Sequence, residues 1–142
     1  MQRLILTQEQ WSRMRLHVES TRPQEACGLL AGTGELVRAV LEIANQDRSE
    51  TSFRMDPVEQ IRAFNWMEAN GMDLIGIYHS HPAGPETGAP GNSGLSATDL
   101  SQAAYPAAYV IWSRPKGVWQ ALCFSIEAGR AMAVELRIEG AS

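Results

Sequence analysis

Punctuation near the C-terminal end constrains this chain most. Three apolar, β-prone runs, 107–113, 118–126 and 131–138, are separated only by Arg114-Pro115-Lys116-Gly117 and Glu127-Ala128-Gly129. Connections this short join antiparallel neighbours, because a parallel return needs a crossover of about a dozen residues or more. Cys27 to Ala31, Glu35 to Ala44 and Met72 to Ser80 also read as strands, and Gly32-Thr33-Gly34 is the turn between the first two.

Helix signals interrupt the strands. Thr7 and Gln10 form a T-x-x-Q capping box, and Trp11, Met14 and Val18 follow as a buried stripe. A second helix starts at Asp56, with Pro57 at its first position, Glu59 completing a box and Gly71 as terminator. Val58, Ile61, Phe64 and Met67 read as its inward face. A third helix is expected from Ser96 to about Tyr105-Pro106. The order of helix, strands, helix, strand, helix and strands predicts an α/β fold. Its mixed sheet would be flanked by about three helices, in a single domain over 1–142.

Composition narrows the function classes. With 44% hydrophobic and 20% charged residues the chain is expected to fold as a soluble globule. Twelve Lys and Arg against sixteen Asp and Glu give a net charge of −4, which argues against nucleic acid and anionic membrane as partners. No stretch approaches a membrane span, and the N-terminal MQRLILTQEQW does not read as a secretory signal. Cys27 and Cys123 make neither a disulfide framework nor a thiolate quartet, so they read as core thiols in a protein of the reducing cytoplasm. The third histidine outside the motif below, His17, reads as a surface residue of the first helix, and the four tryptophans as core or interface.

Residues 83–94 (AGPETGAPGNSG) differ from the rest. They hold four of the twelve glycines and two of the seven prolines, which excludes helix and central strand. A binding loop and a tolerated surface insertion both fit this composition.

Chemistry concentrates just before that loop. His79 and His81 sit two apart at the end of an apolar strand, so both imidazoles share one face and can reach one metal ion. A catalytic site needs a third protein ligand and an open position for water. Asp99, in Ser96-Ala97-Thr98-Asp99, is a candidate, although S-x-x-D is also a capping box. Spacing alone does not separate these readings.

The string HSHP at 79–82 followed by LSATDL at 95–100 resembles the metal motif of the JAMM (MPN-plus, Mov34/PAD-1) metalloprotease family. Residues 23–30 (PQEACGLL) are similar to that family's upstream E-x-C-G-L-L segment, and 99–113 (DLSQAAYPAAYVIWS) resembles its small bacterial members. The resemblance covers roughly residues 4 to 126. Thirteen residues, 83–95, separate Pro82 from Ser96, a longer spacer than is usual in the family, and Leu95 stands where proline is common.

The resemblance implies a cytidine-deaminase-like (MPN/JAB1) α/β sandwich and one Zn²⁺ per chain, held by His79, His81 and Asp99 with water in the fourth place. It implies Glu25 as general acid/base and Ser96 as the hydroxyl that helps hold the oxyanion. It further implies a peptidase or isopeptidase that cuts after the C-terminal glycine of a ubiquitin-like protein, with the Gly-Gly tail extended beside a strand. A homodimer is also in keeping with such domains. The alternatives are a metal-free scaffold or binding module of the same fold, and a related metal hydrolase with another substrate.

Overall fold

The computed structural model of the chain describes residues 1–82 and 106–140. The described elements run β1 (Arg3–Thr7), α1 (Gln8–Thr21), β2 (Cys27–Thr33), β3 (Leu36–Ile43), α2 (Pro57–Ala69), β4 (Asp73–His81), β5 (Ala108–Ser113), β6 (Gln120–Glu127) and β7 (Arg130–Glu139). They form an α/β structure with one mixed sheet, in the order β1-β3-β2-β4-β5-β6-β7. The pairs β2–β3, β5–β6 and β6–β7 are antiparallel, as their short connections require, and β2–β4 is antiparallel as well. The pair β4–β5 is parallel, with His79 opposite Ile111. Both the Gly/Pro-rich loop and the expected third helix lie outside the described residues.

Strand β1 has no counterpart in the sequence reading, which assigned nothing before Thr7. Its five residues alternate, with Leu4 and Leu6 buried. It pairs in parallel with β7, Ile5 opposite Arg137, and meets β3 at Ile5 and Leu36. The sheet thereby curls into a closed ring. The Glu35 carboxylate accepts from the backbone N–H groups of Gln2 and Arg3, at 3.2 and 3.3 Å, where β1 enters the ring.

Both helices begin where their caps place them. The Thr7 hydroxyl accepts from the Gln10 N–H, and the Gln10 side chain accepts from the Thr7 N–H, so the box is complete. The Asp56 carboxylate accepts from the N–H groups of Val58 and Glu59. Glu59 does not close a second box. Its carboxylate accepts from the Ala44 N–H at 2.9 Å, while Asp56 N–H donates to the Ala44 carbonyl. The end of β3 is thus tied to the start of α2.

Each face of the sheet carries a core. Leu4, Leu6, Leu30, Val110 and Trp112 pack with Met14 and Val18 of α1, and Trp11 lies against Trp112 with ring centroids 4.7 Å apart. Cys27, Leu29, Ile77 and Ile111 pack with Ala63 and Met67 of α2 on the other side. The expected inward face of α2 needs correction. Val58 and Ile61 are 56% and 61% exposed. A helix turns about 100° per residue, so positions three apart drift by about 60° at each step. Val58 and Met67, nine apart, therefore point in opposite directions, and Ala63 with Met67 marks the buried line.

His17 also departs from its reading as a surface residue. It is mostly buried, and its Nδ1 lies 2.6 Å from the Tyr78 hydroxyl, with the rings edge to face. Tyr78 lies across Gly28, where a Cβ would come within 2.2 Å of the ring. Glycine is what permits that crossing. Burial holds the His17 pKa below its ordinary value of 6.5, against Glu42, which raises it, and with Arg13, which lowers it further. A histidine with a depressed folded pKa contributes fully above the unfolded value, and its contribution is lost as pH falls toward the folded one. Melting temperature should therefore drop more steeply from about pH 7.5 to about pH 5.5 in the native chain than in His17→Gln. Parallel curves for the two proteins would show that His17 does not carry the effect.

Candidate metal centre

The centre is built where the start of β2 meets the end of β4. These strands are antiparallel with Cys27 opposite His79. Side chains alternate along β4, so Ile77, His79 and His81 face one side while Tyr78 and Ser80 face the other. Ser80 is fully buried and works as a clamp. Its hydroxyl accepts from the Ala26 N–H at 2.8 Å, and its own N–H donates to the Ala26 carbonyl at 3.0 Å. Glu25 precedes Ala26 and is thereby set beside His81.

Glu25 is only 1% exposed, so it is no strand-entry surface residue. Its carboxylate Oε2 lies 3.2 Å from His81 Nδ1. The His81 Nε2 in turn lies 3.2 Å from His79 Nε2, with the two rings edge to face at 4.8 Å. One ligand atom from each of Glu25, His79 and His81 falls within 4.8 Å of the others. A buried carboxylate is costly unless it is hydrogen-bonded, and here the imidazole supplies the partner. A proton on His81 Nδ1, donated to Glu25, leaves the Nε2 lone pair directed toward His79. That is the tautomer a metal needs, oriented by a carboxylate.

The spacing fits zinc. With Zn–N bonds of about 2.0–2.1 Å, two nitrogens at tetrahedral positions lie about 3.3 Å apart. The observed 3.2 Å between the Nε2 atoms is close to that edge. Imidazole and carboxylate donors also suit zinc chemically. Asp99, the expected third ligand, and Ser96 lie outside the described residues.

The comparisons follow the same pattern. Residues 7–124 match the family described as prokaryotic homologs of the JAB domain. The chain belongs to that family. Among curated relatives, it is 34% identical over 99 residues to a probable TtuB-protein conjugate cleaving protease of Thermus thermophilus, covering 69% of this chain and 62% of that protein. It is 35% identical over 81 residues to a desampylase of Pyrococcus furiosus, covering 57% of this chain and 58% of that one. A CysO-cysteine peptidase of Mycobacterium tuberculosis is 33% identical over 82 residues, covering 56% of each. The chain thus matches less than two thirds of the length of these relatives. A solution structure from Desulfitobacterium hafniense shares 33% identity with a TM-score of 0.82, covering 97% of this chain and 94% of that one. A JAB1/MPN domain protein from Archaeoglobus fulgidus, at 18% identity and a TM-score of 0.56, covers 95% of this chain and 97% of that one and shares the fold.

Sequence reasoning passed over two groups that shape this centre. Ser80 was legible in principle, since a hydroxyl on the face opposite the histidines of an apolar strand is buried and needs a partner. The segment 44–56 carried no such signal, yet its Ser49 carbonyl accepts from the Glu25 N–H at 2.8 Å. The two cysteines are buried thiols, as expected, and burial raises both pKa values to about 12.

Replacing Ser80 by alanine should strand the buried Ala26 N–H and destabilise the fold by about 1–3 kcal/mol. Denaturant titration checks this, and a change below about 0.5 kcal/mol would mean the clamp is dispensable. Threonine at the same position should restore most of the loss only where its extra methyl fits.

Proposed function

We propose that this chain is a zinc-dependent peptidase or isopeptidase that hydrolyses the bond after the C-terminal glycine of a ubiquitin-like protein. One observation carries the reading: the relay Glu25–His81–His79, with 3.2 Å steps and one ligand atom of each residue within 4.8 Å of the others. The relatives support the substrate class, since they are a probable TtuB-protein conjugate cleaving protease, a desampylase and a CysO-cysteine peptidase. His79, His81 and Asp99 would hold the ion. Zn²⁺ supplies a Lewis acid there, which brings the pKa of a water to about 7.

The chain's own residues do the rest. Glu25 accepts a proton from the attacking water and returns it to the leaving amine. Its burial keeps that carboxylate from bulk water, and its contact with His81 fixes where its oxygens lie. The Ser96 hydroxyl would donate to the developing oxyanion. An extended Gly-Gly tail, laid beside a strand, would present its last carbonyl to this point.

Two measurements test the reading together. Protein purified without added metal should carry about one zinc per chain, and His81→Ala should lose it. Glu25→Gln should keep the zinc, because glutamine still accepts from His81, yet lose about a hundredfold or more in cleavage of a Gly-Gly-linked fusion. Undiminished turnover in Glu25→Gln would remove Glu25 from the mechanism. Failure to bind zinc even when it is supplied would favour the scaffold reading of the fold.

A further inference from the structure

The segment 44–56, between β3 and α2, touches the centre at several further points. The Asn45 side chain makes four of the hydrogen bonds that hold it. Asn45 donates from Nδ2 to the Ser52 carbonyl at 3.0 Å and to the Glu25 carbonyl at 3.1 Å. Its Oδ1 accepts from the Asp47 N–H at 3.1 Å and the Arg54 N–H at 3.0 Å. The amide therefore closes the segment on itself and fastens it to Glu25. Together with the Ser49 carbonyl, it satisfies both backbone polar groups of Glu25 from the same segment. At the far end, the Phe53 ring stacks on the His79 imidazole, with centroids 4.6 Å apart and planes 28° from parallel. The Asn45–Met55 bridge sets the two ends of the segment side by side.

We infer that 44–56 is a template for the centre, in which Phe53 is the positioning residue for His79 and Asn45 the positioning residue for Glu25. The inference rests on the zinc reading above. The two residues act on different partners, one a ligand and the other the acid/base. The face of Phe53 limits rotation of His79 about its Cβ–Cγ bond, so the ring need not be ordered when the ion arrives. Asn45 holds the peptide plane after the acid/base, and the Ser49 carbonyl holds the one before it, which sets the distance of the carboxylate to the reacting water.

The two variants should therefore part ways. Phe53→Leu removes the stacked ring while keeping an apolar side chain, and should weaken zinc binding about three- to tenfold in competition with a chelator. It should also alter the visible spectrum of the cobalt-loaded protein, and Phe53→Tyr should restore both. Asn45→Ala should lower kcat about tenfold with little change in KM, and weaken zinc binding less than Phe53→Leu does. The melting temperature of the metal-free protein serves as the control for each. Equal zinc affinity in Phe53→Leu and the native chain would overturn the part for Phe53, and an unchanged kcat in Asn45→Ala the part for Asn45. If zinc affinity and kcat fall together with metal-free stability in both variants, the segment only holds the fold and the inference fails. A native chain that binds no zinc would instead remove the zinc reading itself.

Discussion

The pairing of β2 with β4 is the contact on which the functional centre depends. It brings together residues distant in sequence, Cys27 with His79, beside the candidate ligands. If β4 slipped by one residue, Ser80 would take the histidines' side and the histidines would enter the α1 core. The Ser80–Ala26 clamp resists that slip. Its two hydrogen bonds form only when Ala26 and Ser80 are level, and the same level sets Glu25 against His81. The register and the Glu25–His81 contact are therefore specified together.

The opposite face of β4 supports the arrangement from behind. Tyr78 lies between the two histidine-bearing positions and the α1 helix, and it occupies space that Gly28 leaves open. Its hydroxyl meets His17, so the only polar end of a fully buried ring is satisfied. Burial raises the Tyr78 pKa, which keeps the phenol protonated, and lowers that of His17, which keeps the imidazole neutral. A neutral pair suits a core that continues into Val110 and Trp112. The E-x-C-G-L-L segment thus carries two unlike duties on two faces: Glu25 in the centre, and Gly28 beneath the tyrosine.

What the sequence made legible was local. Caps at Thr7 and Asp56, the turns after Ser113 and Ile126, and the two-residue spacing of His79 and His81 are written within a few residues of where they act. The rest depends on partners far along the chain. Strand β1 is five residues long, too short to stand out, and becomes a strand through β7, its neighbour from the other end. His17 looks like a solvated helix residue until Tyr78 is placed beside it. The outward turn of Val58 and Ile61 follows from helical drift, which a strict spacing of three concealed. Glu25 had no distinguishing local pattern and was reached through resemblance; its burial and its imidazole partner are consequences of the β2–β4 register.

Cys27 shows why the centre is an imidazole and carboxylate site and not a thiolate one. It stands opposite His79 in the strand pairing and belongs to the same core face. A thiolate there would be a strong and soft zinc ligand, and it would fill the position that a water needs. The fold turns it away. The thiol donates to the Ile43 carbonyl at 3.4 Å, which directs the sulfur into the strand pair. Burial, with the nearby Glu25 and Glu59 carboxylates, pushes its pKa up to about 12. Among the described residues, the groups whose ligand atoms lie within 4.8 Å of one another are Glu25, His79 and His81, and Cys27 is not among them.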